Sequence, residues 1–371
     1  MTEHFVNAVG WSSALALIAA VAVCLLLVAT QRWHGRFSLD TADGAQKFHS
    51  DPTSRIGGVG IVIGVIVGFL VATEARPVLW PLLLAGIPAF AAGLAEDITK
   101  RVGVSARLCA TLGSGVLICL ITGTAIAELH LPLLDALLTY AWFAIPFTAL
   151  ALAGVANAFN IIDGFNGLAG GVAVIVLLAF AALASSHGDV VLAAACVIFA
   201  AAMLGFMVLN FPYGRIFLGD GGAYFVGFAM AWLAILLVTR HPQISPWAAA
   251  SIVAYPVVEM LYSIWRKHRR DGHHPSRPDG LHLHMLLHRR VVRKLFPRAP
   301  RRLQNGLTAP FCWMLAFLPA AVAVVRPHDT ALLMGSVVVF MLLYSAIYAR
   351  LTQFRWCLRA LTLHRAPRAV G

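Results

Sequence analysis

Charged side chains are scarce in this sequence, since Asp, Glu, Lys and Arg together make up only 12% of its 371 residues. A water-soluble protein of this length carries roughly twice that fraction. In contrast, 60% of the residues are hydrophobic. The scarcity of charge excludes a soluble globular protein and predicts an integral membrane protein.

Cysteine is also rare, and its spacing excludes two further classes of protein. The six cysteines fall mostly inside apolar runs and form no C-x-x-C pair. They are typical of small core residues rather than of a disulfide or zinc framework. No linker divides the sequence and no repeat of fixed period is present, so residues 1–371 are predicted to form a single transmembrane domain.

The apolar runs that remain predict an all-α, polytopic membrane protein. A helix needs about 20 apolar residues to cross the hydrocarbon core, and the runs are continuous rather than alternating, which excludes strands. About eleven segments meet this requirement: 12–30, 56–73, 77–95, 107–127, 137–157, 168–185, 190–209, 221–238, 247–265, 307–325 and 331–349.

The distribution of Lys and Arg predicts the orientation of these helices. The loops after odd-numbered segments and the C-terminal tail hold 25 of the 28 basic residues, and the opposite side keeps Arg76, Arg240 and Arg326. Basic residues mark cytoplasmic loops, so the N-terminus is predicted outside and the C-terminus in the cytoplasm. The net charge of +12 therefore reports topology and contact with membrane lipids, and no nucleic acid is expected as a partner.

Four acidic residues lie at predicted cytoplasmic helix ends, in three different loops: Glu96, Asp97, Asp163 and Asp220. A carboxylate at the membrane boundary costs a few kcal/mol unless it is paired or hydrated. Each one alone could be a helix cap, and Asp220 before Gly221 is a common N-cap type. The four together indicate a polar cavity with a shared cation.

The segment from Asn157 to Gly171 strengthens this interpretation. Asn157, Asn160 and Asp163 recur every three residues, so a helix would present them within about 120° of one another. Amide and carboxylate oxygens suit a hard cation such as Mg²⁺, with Mn²⁺ as an alternative. A polar helix end followed by a glycine turn is the alternative interpretation.

The predicted cytoplasmic basic loop, residues 266–306, supplies candidate substrate ligands. Arg277, His282 and His284 lie in it, and Lys100 lies in an earlier loop on the same side. Arginine suits bidentate recognition of phosphate. The alternative is a membrane anchor, because Arg289, Arg290, Arg293 and Lys294 flank apolar residues at the spacing of a basic amphipathic helix.

These motifs, in this order over roughly residues 45 to 345, resemble the polyprenyl-phosphate N-acetylhexosamine-1-phosphate transferases, in particular the branch that primes O-antigen and related glycans. Asn157, Asn160, Asp163, Gly164 and Gly167 resemble the family's N-x-x-N-x-x-D-G-x-x-G-L signature. The elements F-x-G-D, an acidic pair and S-x-P-D-x-x-H-x-H-H are also similar, at residues 217–220, 96–97 and 276–285. Two positions depart from the family: Glu96 replaces an Asp, and Met285 replaces the third His.

The resemblance implies a bacterial enzyme of the cytoplasmic membrane whose active site faces the cytoplasm. It would transfer N-acetylhexosamine-1-phosphate from a UDP-sugar, with UDP-N-acetylglucosamine expected, to undecaprenyl phosphate and release UMP. The expected catalytic residues are Glu96, Asp97, Asp163 and Asp220. The expected substrate-binding residues are Asn157, Asn160, Lys100, Arg277, His282 and His284, and Mg²⁺ is assigned to Asp163 with Asp220 or Asp97.

Several alternatives stay open at this point. Another UDP-N-acetylhexosamine or UDP-MurNAc-pentapeptide would serve the same chemistry, and two copies of the chain could form a homodimer. A transporter or flippase would also carry polar residues inside its spans, but there we would expect internal repeats and charges near the bilayer midplane. A structural scaffold would leave the Asn157–Asp163 face unexplained.

Overall fold

A computed structural model of the protein describes residues 2–40, 53–269 and 280–353. These ranges are almost wholly helical, as the sequence predicted. The helices are α1 Thr2–Ala29, α2 Gln31–Ser38, α3 Gly58–Val71, α4 Arg76–Thr99, α5 Val104–Thr122, α6 Pro132–Leu138, α7 Ala141–Ile162, α8 Leu168–Ser186, α9 Val190–Asn210, α10 Gly219–Arg240, α11 Pro246–Ile252, α12 Ala254–His268, α13 Leu283–Leu287, α14 Arg293–Leu295, α15 Arg301–Gly306, α16 Ala309–Val325 and α17 Thr330–Thr352. A 3₁₀ turn, Thr73–Ala75, precedes α4, and a π-helical turn, His288–Val292, follows α13.

Each of the eleven predicted segments overlaps a helix, but not every one of these helices is long enough to cross a membrane. Within the described ranges, nine helices pass by length and composition, and up to ten if the bent pair α11 and α12 forms one span. That pair is bent by 74°. The second predicted segment corresponds to α3, whose 14 residues fall short of the roughly 20 that a span needs. The exact count and the orientation stay predictions.

The most buried helix of the bundle is α10. Every residue from Gly219 to Leu237 is buried, and α10 packs against α3, α4, α7 and α8. Its first turn lies very close to α3 and α4: a Cβ on Gly93 of α4 would lie 2.5 Å from the backbone nitrogen of Gly221, and one on Gly58 of α3 would lie 2.3 Å from the Cα of Gly222. Only glycine allows backbones to approach in this way, so the Gly-rich start of α10 is packed tightly into the bundle.

The two strands of the described chain are short and serve to place one loop. Leu39–Asp40 (β1) pairs antiparallel with Thr53–Ser54 (β2). The chain after β2 then pairs with the segment before α10, because Phe217 donates to the carbonyl of Ser54 at 2.8 Å and Gly57 donates to the carbonyl of Phe217 at 2.9 Å. The loop between β2 and α3 is thereby held against the start of α10.

The up-and-down order of the helices brings several helix ends to one end of the bundle. The last turns of α4 and α7 lie beside the first turns of α5 and α10, since hydrogen bonds and ion pairs join their side chains directly. The predicted acidic residues are carried by these ends. Asp97 and Asp220 are therefore joined in one cluster, and the shared cation stays a prediction.

Candidate active site

The side chain of Asp97 joins the end of α4 to the start of α10. Its carboxylate accepts hydrogen bonds from the backbone N–H groups of Asp220 at 3.0 Å and Gly221 at 2.9 Å. The first N–H groups of a helix have no intrahelical partner, and the helix dipole favours a negative charge there. Asp97 is 1% exposed, so its carboxylate is shielded from solvent and bound to α10.

The side chain of Asp220 leaves α10 toward two guanidinium groups and an amide. One carboxylate oxygen accepts from Asn160 Nδ2 at 3.0 Å and from Arg55 Nη2 at 3.4 Å. The other oxygen pairs with Arg107. The alternative interpretation of Asp220 as an ordinary N-cap is wrong, because Leu218 occupies the cap position and the side chain of Asp220 bonds to these three groups instead.

Arg55 connects two of the predicted acidic residues and was not predicted as a site residue. Its Nε lies 3.6 Å from Asp97 Oδ1, and its Nη2 lies 3.4 Å from Asp220 Oδ1. The strand pairing that precedes it holds its backbone at the start of α10. Its sequence signal is a place shortly before the Gly57–Gly58 pair, on the same predicted side as the four carboxylates.

Arg107, in the first turns of α5, is the second arginine that the sequence did not single out. Its guanidinium carbon lies 5.8 Å from the ring centroid of Tyr224, in the range of a cation–π contact. The Tyr224 hydroxyl in turn donates to Asn157 Oδ1 at 3.3 Å. Arg107 and Tyr224 therefore link Asp220 to the polar face of α7.

Asn157 and Asn160 share one face of α7, as their spacing predicted. Asn160 bonds to Asp220, and Asn157 Nδ2 donates to the carbonyl of Ala153 at 2.8 Å. The helix continues beyond the predicted membrane segment 137–157 to Ile162, so both amides lie within α7. Both amides thus find hydrogen-bond partners within the protein, as buried polar groups usually do.

Asp163 follows the last residue of α7 and is half-buried. Desolvation by the surrounding protein raises the pKa of its carboxyl to about 7, although the charge of Arg55 and a hydrogen bond from the backbone of Gly219 lower it. Gly219 has a φ of 77°, a conformation that favours glycine. The turn before α10 therefore directs this N–H toward Asp163.

Three asparagines hold the glycine turn that follows Asp163. The backbone N–H of Asn166 donates to Asn305 Oδ1 at 2.7 Å, and the N–H of Gly167 donates to Asn210 Oδ1 at 2.6 Å. The Asn166 amide donates to the carbonyl of Pro212 at 3.0 Å. These partners are distant in sequence, so spacing alone could not identify Asn210 or Asn305 as supports of the predicted motif.

Glu96 and Lys100 lie together on the turn between α4 and α5. Glu96 Oε2 accepts from the backbone N–H of Val102 at 2.7 Å, and Lys100 Nζ donates to the carbonyl of Asp97 at 2.6 Å. Lys100 itself adopts a left-handed conformation with φ 56°. The structure thus places Glu96 across this turn, one residue away from the buried Asp97, and its role in catalysis stays a prediction.

The two predicted histidines are buried beside a carboxylate that the sequence analysis did not single out, Glu259 of α12. His282 Nδ1 lies 3.0 Å from Glu259 Oε1. His284 is fully buried, and its ring packs edge-on against Phe165 with 5.5 Å between centroids. A Cβ on Gly164 would lie 3.3 Å from His284 Nε2. His284 of the basic loop therefore lies next to Gly164, the residue that follows Asp163.

The departure at position 285 is accommodated by packing. Met285 is 3% exposed and belongs to the hydrophobic core. His288, one turn on, bonds to Thr308 Oγ1 at 3.1 Å and packs on Phe165. Burial, with a smaller effect of nearby Arg293, lowers the pKa of His288 to about 4.

Arg277 and the motif residues 276–279 lie outside the described residues.

The carboxylates do not form a ready metal cage. Among the side chains described, no three His, Cys, Asp or Glu are grouped so that they could hold a metal ion. Asp97 and Asp220 direct their oxygens at N–H groups and guanidinium groups, whereas the half-buried Asp163 is less enclosed than these two. One carboxylate combined with substrate phosphates is a common arrangement for Mg²⁺. The donor set fits that arrangement through Asp163, and the metal assignments stay predictions.

The family model for glycosyl transferase family 4 matches residues 79–238 of this chain. The matched segment extends from α4 to α10. It includes Asp97, Asn157, Asn160, Asp163 and Asp220, which meet at one end of the bundle. Arg55 and the histidines lie outside the matched segment.

Curated proteins match a longer part of the chain. The chain is 28% identical over 316 residues to the "Probable undecaprenyl-phosphate N-acetylglucosaminyl 1-phosphate transferase" of Bacillus subtilis (strain 168), covering 83% of this chain and 82% of that protein. It is 30% identical over 259 residues to the "Undecaprenyl-phosphate alpha-N-acetylglucosaminyl 1-phosphate transferase" of Escherichia coli (strain K12), covering 66% of this chain and 67% of that protein. The protein of the same name from Yersinia pestis is 29% identical over 257 residues, covering 66% and 68%. This chain therefore belongs to glycosyl transferase family 4, among the polyprenyl-phosphate N-acetylhexosamine-1-phosphate transferases.

Proposed function

We propose that this protein transfers N-acetylhexosamine-1-phosphate from a UDP-sugar to undecaprenyl phosphate and releases UMP, as the first step of a lipid-linked glycan. UDP-N-acetylglucosamine is the proposed donor, since the named relatives are N-acetylglucosaminyl 1-phosphate transferases. The observation that carries the proposal is the cluster of Asp97 and Asp220 with Arg55 and Arg107 at one end of a bundle of membrane-spanning length, with Asp163 within the electrostatic influence of Arg55.

The reaction needs positioning and charge neutralisation more than acid–base chemistry. An oxygen of the lipid phosphate attacks the β-phosphorus of the UDP-sugar and forms a P–O bond. The bond from that phosphorus to the α,β-bridging oxygen breaks, and UMP leaves with the electron pair. A phosphate monoester has its second pKa near 6, so the attacking group is already largely ionised at neutral pH. No strong general base is required.

The site residues suit the binding of phosphates at the end of the bundle. The guanidinium groups of Arg55 and Arg107 are held by Asp97 and Asp220, so their positions are fixed before substrate arrives. Fixed donors stabilise charge that develops during a reaction without reorganisation. We propose that the Asn157–Asn160 face and these arginines orient the two phosphate groups in line.

Because both arginines already face carboxylates, the phosphates require a further positive charge. We propose that Asp163 holds Mg²⁺, with Mn²⁺ as an alternative, and that Asp220 or Asp97 contributes where its present contacts allow. When bound, the cation neutralises the diphosphate and stabilises the leaving group. Desolvation of Asp163 outweighs the opposing effects of Arg55 and of the Gly219 N–H and raises its pKa to about 7, a cost that a bound cation would offset, which supports this choice of carboxylate.

We propose that the protein lies in the cytoplasmic membrane of a bacterium with this site facing the cytoplasm. The predicted cytoplasmic side holds 25 of the 28 basic residues, and the site lies at that end of the helices. UDP-sugars are soluble nucleotides, so a site at the membrane boundary can meet both a soluble donor and a lipid acceptor. Association as a homodimer stays a prediction.

The test is the release of UMP by detergent-solubilised protein. We expect release only when a UDP-sugar, undecaprenyl phosphate and Mg²⁺ are all present, and none from Asp163→Asn at the same protein level. A panel that includes UDP-N-acetylglucosamine, its galactosamine epimer and UDP-MurNAc-pentapeptide identifies the donor. Release without the lipid phosphate would indicate a hydrolase, and no release with any donor would overturn the proposal.

A further inference from the structure

Glu259 is a buried carboxylate that the proposed reaction does not use directly. It lies in α12 and is 1% exposed. One of its oxygens, Oε1, receives two contacts from the loop that carries the histidines: His282 Nδ1 at 3.0 Å and the backbone N–H of Leu283 at 3.1 Å. A backbone N–H can only donate. Oε1 is therefore always the accepting atom at this position.

The second oxygen of Glu259 faces His284. Its Oε2 lies 4.0 Å from His284 Nδ1, which is an electrostatic contact but longer than a hydrogen bond. The rings of His282 and His284 are parallel to within 3°, with 5.4 Å between centroids. The other ring nitrogen of His284, Nε2, lies on the side of Gly164. One edge of this imidazole thus faces Glu259, while the other faces the turn that carries Asp163.

The ring nitrogens of His284 are unusual because they are buried and unbonded. Within the part of the chain that the structure describes, neither His284 nitrogen nor Glu259 Oε2 has a hydrogen-bond partner of normal geometry. The buried hydroxyl of Tyr344 is a further neighbour of Glu259. Buried polar atoms nearly always have a hydrogen-bond partner. The Nε2 atom beside the Gly164 turn has none within the described residues, which points to a ligand as its partner.

A carboxylate beside an imidazole decides which nitrogen carries the proton. With the proton on Nδ1, the N–H faces Glu259 Oε2; with the proton on Nε2, a lone pair would face the carboxylate, which is repulsive. A neutral imidazole has one donor and one acceptor nitrogen, and the partner of one nitrogen fixes the other. We propose that Glu259 is a positioning residue that keeps the His284 proton on Nδ1 and presents Nε2 to the sugar nucleotide as a hydrogen-bond acceptor.

This inference rests on the proposed function and names the ligand chemistry at one atom. An accepting Nε2 fits an N–H or O–H group of the sugar nucleotide rather than an unprotonated phosphate oxygen. Burial lowers the pKa of His284 to about 4, and the charge of Glu259 opposes this only in part. His284 is therefore neutral at neutral pH, in agreement with an accepting role.

The substitution Glu259→Gln tests the proposal because glutamine has nearly the same shape as glutamate but carries an NH₂ donor in place of one carboxylate oxygen. The N–H of Leu283 requires an acceptor, so the amide oxygen must stay at the Oε1 position. The amide NH₂ group then faces His284 Nδ1 and places a donor where the carboxylate placed an acceptor. The proton of His284 moves to Nε2, and the acceptor at the Gly164 turn is lost. We expect kcat/KM for the UDP-sugar to fall about tenfold or more, the effect of one lost hydrogen bond in a desolvated site.

A double-mutant cycle separates this role from a purely structural one. If Glu259 acts through His284, Glu259→Gln should have less than about a twofold effect in a His284→Ala background. A fold-loss that is the same in both backgrounds would overturn the proposal, as would an unchanged kcat/KM in the Glu259→Gln single variant.

Two controls keep the outcome interpretable. Asp189 is a matched carboxylate at the opposite end of the bundle, paired with Arg240 at 3.1 Å, and Asp189→Asn should leave kcat/KM unchanged. Thermal unfolding of each variant shows whether Glu259→Gln folds, and an unfolded variant would be replaced in the cycle by Glu259→Asp. If wild-type protein releases no UMP, the proposed function fails. If wild type is active and the cycle is additive, only the role of Glu259 fails.

Discussion

The carboxylate of Asp97 accepts hydrogen bonds from the backbone N–H groups of Asp220 and Gly221, at 3.0 and 2.9 Å. The end of one helix is thus bound to the start of another, 123 residues later in the sequence. The contact also fixes the direction in which Asp220 leaves α10, toward Arg55, Arg107 and Asn160. Asp97 therefore organises the site through the backbone, in addition to any contact with substrate.

The substitution Asp97→Asn should reduce stability and activity together. An amide can accept with one oxygen, but its NH₂ group would face an N–H donor of α10. The loss of one charge-assisted hydrogen bond at a buried position costs roughly 1.5–3 kcal/mol. We expect a lower Tm of the solubilised protein and slower UMP release. An unchanged Tm with abolished activity would instead show that Asp97 acts mainly on the substrate.

The sequence was sufficient to predict that Asp97 and Asp220 share a site, but not how. Both lie at helix ends on the side rich in basic residues, so their common depth followed from the hydropathy pattern. The bond between them depends on Gly93 and Gly221, which let α4 and α10 approach closely. Such an approach is a property of packing between distant segments, and the spacing of residues along one helix carries no signal of it.

Arg55 offers a second test, because it contacts two carboxylates at once. In Arg55→Lys, a single ammonium can pair with Asp97 or Asp220 but cannot bridge both with a planar fork. Arg55 is 24% exposed, so solvent screens part of the loss, and we expect kcat/KM to fall by roughly 10- to 100-fold. The exposed Arg101 provides a matched control, and Arg101→Lys should retain full activity. Equal activity in the two variants would remove Arg55 from the site.

Arg55 and Arg107 contact the predicted carboxylates although their sequence positions predict only topology. They are two of the 25 basic residues that predict the cytoplasmic side, and topology alone is enough to explain a basic residue there. The pairing of Ser54 with Phe217, which holds Arg55 at the start of α10, involves a strand of only two residues. Short pairings of this kind have no periodic pattern. Glu259 likewise has no local sequence signal, since it lies alone within an apolar segment and its partners come from a loop more than twenty residues later.

Asp163 makes the stability of the protein depend on pH in a predictable direction. Its pKa of about 7 lies above the unfolded value of 3.8, so the native state binds more protons between these values. Stability contributed by this group is therefore lost as the pH rises from about 4 to about 7. We expect the Tm of metal-free protein to fall more over this range for wild type than for Asp163→Asn.

The same pair of proteins tests whether Asp163 holds the cation, without any measurement of turnover. A ligand that binds only the native state raises the Tm. At pH 8, where Asp163 is ionised, Mg²⁺ should raise the Tm of wild type and have little effect on Asp163→Asn. Equal shifts in the two proteins would assign the cation to other ligands.

The basic loop carries the last prediction, because its residues divide into a buried and an exposed group. His282 and His284 are buried near the Gly164 turn, whereas Arg293 and Lys294 are exposed. If the loop binds the nucleotide through its buried side, His284→Ala should raise the KM for the UDP-sugar about tenfold and leave the KM for the lipid phosphate unchanged. If its exposed side rests on anionic lipid, removal of Arg293 and Lys294 should weaken association with anionic bilayers by about 1 kcal/mol per charge. Steady-state kinetics with each substrate varied separately, together with reconstitution into vesicles with and without anionic lipid, measure the two effects independently. An unchanged UDP-sugar KM in His284→Ala would leave the loop with the anchoring role alone, because a buried imidazole that touches the substrate cannot be removed without loss of that contact.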